Sequence, residues 1–222
     1  MFRTDDTWVV VAAFNEAAVI EGVIGELVRG GWRPVVVDDG STDATAQKAR
    51  AGGAAVVRHS INRGQGAALQ TGIDYAIRRG ARAIITFDAD GQHDAADIPA
   101  LLAALDDADI ALGSRFLGTI EGATRGRRAM LRSATKVSNG LSGLKLTDAH
   151  CGLRAIRASA VPQLRLSQDR MAHASELLRK IRLARLRVIE VPVTIRYTEH
   201  SMRKGQGGLQ AIRILFDYFF RS

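Results

Sequence analysis

Residues 83–92 read Ala-Ile-Ile-Thr-Phe-Asp-Ala-Asp-Gly-Gln, a mostly apolar run that ends in two acids and an amide at alternate positions. A continuous apolar run predicts a strand buried on both faces, which is typical of a parallel sheet. If the chain stays extended, the period of two points Asp88, Asp90 and Gln92 the same way. Adjacent carboxylates repel unless a cation or proton lies between them, and these oxygen ligands suit Mg²⁺ or Mn²⁺. The stretch predicts a metal-assisted phosphate site, with an ordinary strand-ending, helix-capping Asp-Gly loop as the alternative.

Strands and helices alternate on both sides of this stretch. Predicted strands at 8–13, 34–37, 54–57, 83–87 and 109–112 are separated by helical patterns at 19–28, from 43, at 66–79 and at 98–105. This order predicts an α/β fold, a mostly parallel sheet sandwiched by helices. The second half of the chain is less regular. Its patterns predict helices at 125–142 and 172–185 and a strand at 187–195, and we expect this half to add antiparallel strands. Pro192 favours an edge position for that last strand.

Polar motifs follow each of the first five predicted strands. They are Asn15-Glu16, residues 38–43, residues 62–66, residues 88–90 and residues 113–115. Because ligands bind at the carboxyl ends of parallel strands, we expect these loops to form one site. Within residues 38–43 a carboxylate can cap a helix or accept a hydrogen bond from a base or ribose. The glycines of 62–66 can bring backbone N–H groups near phosphate, although neither a dinucleotide fingerprint nor a P-loop is present.

The composition indicates a globular chain of one domain with an anionic partner. The 222 residues carry a formal charge of +8, and the chain has no repeat or low-complexity tract. Charge alone does not distinguish nucleic acid, a phosphorylated substrate and anionic lipid, but few aromatics and no nucleic-acid motif count against nucleic acid. One cysteine, Cys151, and an N-terminus that leads into a strand predict a cytoplasmic location. Cys151 itself reads as a small buried residue.

The last residues, 208–222, form a predicted amphipathic helix. Leu209, Ile212, Phe216 and Phe219 share one helical face, and basic residues flank it. Such a helix can lie at a membrane interface or pack on the protein or a partner, and the periodicity favours neither. The expected organisation is therefore a catalytic domain over 1–207 followed by this helix.

Six motifs taken together resemble a known family. They are Val-Val-Ala-Ala-Phe-Asn-Glu (10–16), Val-Asp-Asp-Gly-Ser-Thr-Asp (37–43), Asn-Arg-Gly-Gln-Gly-Ala-Ala (62–68), Asp-Ala-Asp-Gly-Gln (88–92), Gly-Ser-Arg (113–115) and Asp-Ala-His-Cys-Gly-Leu-Arg (148–154). Their order and spacing over residues 8–205 resemble the GT-A (Rossmann-like) glycosyltransferases of family 2. More narrowly, they resemble dolichol-phosphate mannose synthases and other polyprenyl-phosphate glycosyltransferases.

The resemblance implies a reaction and a set of residues. A polyprenyl phosphate would attack the anomeric carbon of a UDP- or GDP-linked hexose, with inversion and release of the nucleoside diphosphate. Mg²⁺ or Mn²⁺ would be held by Asp88, Asp90 and Gln92. Substrate contacts would come from Ala12, Phe14, Glu16, Val37, Asp39, Gly64, Ala89, Asp148 and Arg154. Ala12 and Phe14 depart from the Pro and Tyr that are usual in the family's first motif.

Positive charge must bring two anions together in such a reaction. By resemblance Arg115, Arg132 and Arg196 act with Asp90 in catalysis, and Arg203 or Lys204 takes the place of a closing Ser-Lys whose spacing differs here. Each arginine taken alone also fits a solvated basic surface. His93, beside the acids, is either a partner of the carboxylates or a surface residue.

Three other interpretations stay open. One is a family 2 transferase with a saccharide acceptor, and another is a sugar-phosphate nucleotidyltransferase, although its Gly-rich basic loop after the first strand is missing. The third is a basic protein that binds membranes or nucleic acid without catalysis. For the leading interpretation we expect a peripheral protein at the cytoplasmic face of the membrane, reached through its tail, its charge or a small membrane partner.

Overall fold

The computed structural model describes residues 2–169 and 172–197. The strands are β1 Thr7–Ala13, β2 Arg33–Asp38, β3 Ala55–Arg58, β4 Ala83–Asp88, β5 Ile110–Glu121, β6 Arg154–Arg157 and β7 Val188–Arg196. The helices are α1 Ile20–Arg29, α2 Thr45–Ala51, α3 Gln65–Arg78, α4 Ile98–Ala104, α5 Arg125–Ser142 and α6 His173–Leu183. Short 3₁₀ turns occupy Thr4–Asp6, Ala95–Asp97 and Ala158–Gln163. The predicted tail, with Arg203 and Lys204, lies outside the described residues.

The strands form one mixed sheet in the order β3-β2-β1-β4-β6-β5-β7. The first four strands in the sequence, β1 to β4, run parallel to one another. β6 runs antiparallel to both β4 and β5, and β7 pairs parallel with β5 at the edge, where Pro192 predicted it. The predicted mostly parallel α/β sheet with an antiparallel addition in the second half is therefore confirmed. The antiparallel strand is β6, which was not predicted, whereas the predicted strand at 187–195, expected to be antiparallel, is β7 and runs parallel to β5.

Helices cover both faces of the sheet because its central strands are apolar on both sides. Val9 and Val11 of β1 share a core cluster with α1 and α4, whereas Trp8 and Val10 pack with Leu69 and other residues of α3. Val9, Val10 and Val11 have no exposed surface, and burial of each such side chain is worth about 1.5–3 kcal/mol. This burial holds the strand ends, and the loops that leave them, in place.

The register brings three strand ends level. Ala12 lies opposite Val37 on one side and Asp88 on the other, so β2, β1 and β4 end together. The following loops are consequently neighbours at the carboxyl edge of the sheet, as the sequence predicts.

Helix α5 has an unusual distribution of side chains. Its buried residues are Thr135 and Ser138, while Met130, Val137 and Leu141 are each about two-fifths exposed at 44%, 43% and 38%. Three apolar side chains of this helix are therefore partly in solvent, while a fourth, Leu131, packs against the core. Within the described part of the chain, no helix is both long and apolar enough to cross a bilayer.

Candidate active site

Asp88 ends β4 and faces several donors. Its Oδ2 accepts a hydrogen bond from His93 Nε2 at 2.9 Å, and Oδ1 accepts one from Gln65 Nε2 at 3.3 Å. Burial opposes ionisation, but the bond to His93 and the charges of His93, Arg154 and His173 outweigh it, so the pKa of Asp88 lies below its ordinary value. His93 is 6% exposed, which identifies it as a partner of the carboxylate and not as a surface residue.

Asp90 lies in a turn that brings Gln92 back onto it. Gln92 donates from its backbone N to Asp90 Oδ1 at 3.0 Å and from Nε2 to Oδ2 at 2.8 Å. The chain does not stay extended here, because Gly91 has φ +75° and reverses it. The extended geometry predicted from the sequence is therefore wrong, although Gln92 and Asp90 still come together. Burial and then the charge of Asp88 raise the pKa of Asp90 to about 6.

The two acids and Gln92 fit a divalent cation that a substrate helps to hold. In residues 2–169 and 172–197, no three His, Cys, Asp or Glu side chains form a group that would bind a metal by themselves. Mg²⁺ is usually bound by one or two carboxylates together with water and substrate phosphates, and this loop provides the two carboxylates. A cation would also favour the ionised form of Asp90. The alternative capping role falls to Asp94, which accepts from Ala96 N at 2.9 Å at the start of Ala95–Asp97.

Asp39 holds the loop that follows β3. Asp39 is 2% exposed. Its carboxylate accepts hydrogen bonds from Arg63 N at 3.0 Å, Gly64 N at 2.6 Å and His59 Nδ1 at 2.7 Å. Ala67 N, in the first turn of α3, donates to Asp169 O at 3.2 Å. The Gly64 amide, which was expected near phosphate, donates to the Asp39 carboxylate instead. A role of Gly64 in binding the substrate stays a prediction.

The first motif lies beside Asp39 and the acids. Ala12 and Val37 are neighbours across β1 and β2, Phe14 is 41% exposed, and Ala89 is buried. Glu16 is buried and close enough to Asp90 for its charge to raise the pKa of that acid. The structure thus gathers the predicted nucleoside residues at one edge.

Arg115 and Asp148 form a buried ion pair. Arg115 Nε lies 2.5 Å from Asp148 Oδ2, its backbone N donates to the same oxygen at 3.2 Å, and Nη1 donates to Tyr197 Oη at 2.8 Å. Burial acts to lower the pKa of Arg115, but the Asp148 carboxylate overcomes it and the net direction is upward. Glu190 holds the loop of Asp148 by accepting from Asp148 N at 3.0 Å and Thr147 Oγ1 at 2.8 Å.

Arg154 and Cys151 lie behind the acid loop. Arg154 is 5% exposed, donates from Nε to Cys151 O at 2.9 Å, and has a pKa lowered by burial. Cys151 is 3% exposed, as predicted, and burial followed by the charge of Asp148 raises the pKa of its thiol to about 12. The charge of Arg154 also lowers the pKa of Asp88, so this predicted residue lies close behind the first acid.

Two further predicted arginines, Arg196 and Arg132, lie on the exposed side of the site. Arg196 donates from its backbone N to Gln92 O at 2.9 Å, and its guanidinium contacts Asp94 at 2.6 Å and Glu121 at 3.3 Å. Arg132 is exposed on α5 and its guanidinium lies 5.1 Å from the centre of the Phe116 ring. The structure therefore brings Arg196 to the acid loop, while Arg132 lies on the surface of α5.

Some residues of this site were not predicted as functional. Glu190 lies outside the six motifs, and Gln65 and Gly152 lie within motifs but were given no role, since each acts only through a contact made in the fold. A Cβ at Gly152 would lie 2.1 Å from Asp88 Oδ2, so only glycine leaves room for that carboxylate. Gly152 does fall in one of the six motifs, and that position was the available signal.

Residues 8–165 match the family described as glycosyl transferase family 2, and the match covers more than half of the chain. The chain belongs to this family. The predicted resemblance to family 2 glycosyltransferases is confirmed, and the protein is a hexosyltransferase of this family.

Two relatives of this family 2 glycosyltransferase span most of both chains. UDP-N-acetylglucosamine–dolichyl-phosphate N-acetylglucosaminyltransferase of Methanococcus voltae is 29% identical over 94% of this chain and 93% of its own. Polyprenol monophosphomannose synthase of Mycolicibacterium smegmatis is 30% identical over 92% of this chain and 82% of its own.

A solved structure supports the fold of this family 2 glycosyltransferase. Glucosyl-3-phosphoglycerate synthase from Mycobacterium tuberculosis, in complex with Mn²⁺, uridine-diphosphate-glucose and phosphoglyceric acid, matches with a TM-score of 0.67 and 23% identity. The match covers 96% of this chain and 79% of that one. The predicted GT-A-like fold is therefore confirmed.

Proposed function

We propose that this enzyme transfers a hexose from a UDP- or GDP-linked donor to a polyprenyl or dolichyl phosphate, with inversion and with the help of Mg²⁺ or Mn²⁺. The observation that carries the proposal is the pair Asp88 and Asp90 at the carboxyl edge of the sheet, level with Ala12 and Val37. Two relatives named for transfer to dolichyl phosphate or synthesis of a polyprenol phosphomannose support the acceptor.

The donor would lie along this edge. Asp39, Ala12 and Val37 would border the nucleoside, and Asp88, Asp90 and Gln92 would hold the cation against the diphosphate. A bound divalent cation supplies Lewis-acid stabilisation of the charge that develops on the leaving group. The structural relative that contains Mn²⁺ and uridine-diphosphate-glucose supports a donor and metal of this kind.

The chain's own residues would act mainly by position and charge. A phosphate acceptor is already ionised near neutral pH, so no strong general base is needed. Arg196, beside Gln92, and Arg132 on α5 would offset the charge of the acceptor. Arg115, held by Asp148, would keep in place the part of the site that lies between these two arginines and the metal loop.

The surface of α5 supports a lipid acceptor. The exposed Met130, Val137 and Leu141 share this helix with the basic Arg128 and Arg132. An amphipathic helix of this kind, with Arg128 and Arg132 about half a turn away from the apolar side chains, matches the interface of an anionic membrane, where apolar side chains enter and cations face the head groups. We therefore propose peripheral attachment at the cytoplasmic face, with the tail 208–222 as a second contact.

The test is a transfer assay with purified full-length protein, a panel of nucleotide sugars, polyprenyl phosphate and Mn²⁺, in which the lipid-linked sugar is measured. We expect product with at least one donor, its loss with EDTA, and its loss in Asp90→Ala. Asp107→Ala, at an exposed acid remote from the site, is the matched control and should keep full activity. No product with any donor, or turnover indifferent to EDTA and to Asp90→Ala, would refute the proposal.

Membrane attachment has its own test. We expect the full chain to float with anionic liposomes, and deletion of 208–222 to weaken flotation. Flotation that is unchanged by the deletion would remove the tail's role. Absence of flotation by the full chain would refute peripheral attachment.

A further inference from the structure

His59 bridges the carboxylate of Asp39 and helix α3. Its Nδ1 lies 2.7 Å from Asp39 Oδ1, and its Nε2 lies 3.0 Å from Thr71 Oγ1. The His59 side chain is 9% exposed and that of Asp39 is 4% exposed, so water competes little for this bond. His59 lies outside the six sequence motifs.

The contacts determine which ring nitrogen carries hydrogen. Asp39 accepts from two backbone amides, those of Arg63 and Gly64, as an ionised carboxylate does. An ionised carboxylate only accepts, so His59 Nδ1 must donate to it. Thr71 Oγ1 lies 2.9 Å from Ala67 O and can donate either there or to Nε2. The Nδ1–H bond to Asp39 is therefore the same whether the ring is neutral or charged.

The hydrogen bonds of Asp39 leave little capacity for another donor. A carboxylate has about four lone-pair positions. Two at Oδ1 are used by Arg63 N and His59 Nδ1, and one at Oδ2 is used by Gly64 N. Nearby charges have partners of their own, since Asp38 pairs with Arg58 at 3.0 Å and Arg63 with Asp169 at 4.0 Å. One acceptor position, on Oδ2, is left for a ligand.

We propose that His59 is a positioning residue that sets the nucleobase specificity of the donor site through Asp39. By donating to Oδ1, His59 orients the carboxylate so that the last lone pair of Oδ2 faces the base. The proposal rests on the proposed function, because it requires the nucleoside to lie against Asp39.

The chemistry of the bases gives the expected choice. Uracil and guanine present a ring N–H on their pairing edge, whereas cytosine and adenine present a ring nitrogen with a lone pair at the equivalent place. If the ring nitrogen of cytosine or adenine faced the Asp39 carboxylate, two acceptors would meet with no hydrogen between them. Such a contact is strongly disfavoured when it is buried. The site should therefore bind UDP better than CDP, or GDP better than ADP.

The experiment measures binding of UDP, CDP, GDP and ADP to the full-length protein by calorimetry with Mg²⁺ and without acceptor. His59→Asn and His59→Gln form a matched pair, because the Asn amide reaches the place of Nδ1 and the Gln amide the place of Nε2. We expect His59→Asn to keep the wild-type ratio of dissociation constants and His59→Gln to reduce it roughly tenfold, the effect of one hydrogen bond to a charged group. Thermal unfolding checks that both variants are folded.

The outcomes separate the two proposals. Base discrimination that is the same in wild type and in folded His59→Gln overturns the role of His59 and leaves the transferase proposal intact. Binding of all four nucleotides alike overturns base selection by Asp39, and binding of none overturns the nucleotide site together with the role of His59. A wild-type ring whose Nδ1 lacks hydrogen, in ¹⁵N-resolved NMR of the imidazole, overturns the role of His59 even if the variants misfold.

Discussion

Gly152→Ala should strongly lower the activity of the enzyme without replacing a charged or polar side chain. The added Cβ would lie 2.1 Å from Asp88 Oδ2, whereas real Cβ contacts are essentially never below 3.0 Å. The backbone at Gly152 has little freedom to retreat, since its carbonyl accepts from Thr86 Oγ1 at 2.6 Å and β6 begins two residues later. The Asp88 carboxylate must therefore move by about 1 Å, the difference between those contacts.

A displacement of this size has a predictable effect on catalysis. Misplacement of a catalytic group by about 1 Å can lower activity roughly 100-fold, which corresponds to about 2.7 kcal/mol in the activation free energy. The bond between Asp88 and His93 would be lost as well, so the affinity for Mn²⁺ should fall. The φ angle of Gly152 lies outside the left-handed region, so alanine adds no backbone strain there.

The assay compares kcat/KM and Mn²⁺ affinity of Gly152→Ala with those of Gly22→Ala. Gly22 lies on the exposed side of α1, where an added Cβ meets nothing within 4 Å, and alanine there should leave activity unchanged. Stability of that control should rise slightly, because alanine favours a helix over glycine by about 1 kcal/mol. Wild-type kcat/KM and Mn²⁺ affinity in Gly152→Ala would refute the reasoning that Gly152 makes room for Asp88.

Three further variants test other parts of the structure. Asp148→Asn leaves the Arg115 guanidinium buried without its counter-ion. The unfolding free energy measured by urea denaturation should therefore fall by about 3–5 kcal/mol, and a fall of less than about 1 kcal/mol would contradict a buried ion pair. Because the folded pKa of Asp90, about 6, lies above its ordinary value, its contribution to stability is present below about pH 4 and is lost as the pH rises through 6. In metal-free protein, Asp90→Asn should therefore reduce the change in unfolding free energy between about pH 4 and pH 6 by roughly 1–2 kcal/mol, a value that allows for the partial exposure of Asp90. A pH dependence equal to that of wild type would contradict the raised pKa. Met130→Gln with Val137→Gln should leave the unfolding temperature near that of wild type and weaken liposome flotation, whereas undiminished flotation would exclude α5 as the membrane contact.

The fold was predictable because its signals are local. Five apolar strands and the helical patterns between them occur in sequence order, and parallel pairing follows from that alternation. Pro192 predicted an edge strand, and β7 is one. The parallel pairing of β7 with β5 depends on how the second half of the chain returns to the sheet, and no local pattern encodes it.

The candidate site was predictable only at its strand ends. Asp88, Asp90 and Asp39 were found because each follows an apolar run, and the fold brings those ends together. Contacts between distant segments were not predictable, and among them are the clamp of Glu190 on the Asp148 loop and the donation of Gly64 N to Asp39. The turn at Gly91 was predicted only as the alternative Asp-Gly loop, because the leading interpretation extended the alternation of side chains past the end of β4.

Buried Cys151 makes site-specific labelling straightforward. It is the sole cysteine of the chain, and thiol reagents attack the thiolate, which is scarce at neutral pH when the pKa of the thiol is about 12. A cysteine introduced at an exposed position such as Leu141 would then react selectively, with no need to remove the native one. An environment-sensitive fluorophore attached there would report directly, through its emission wavelength, whether α5 enters the lipid.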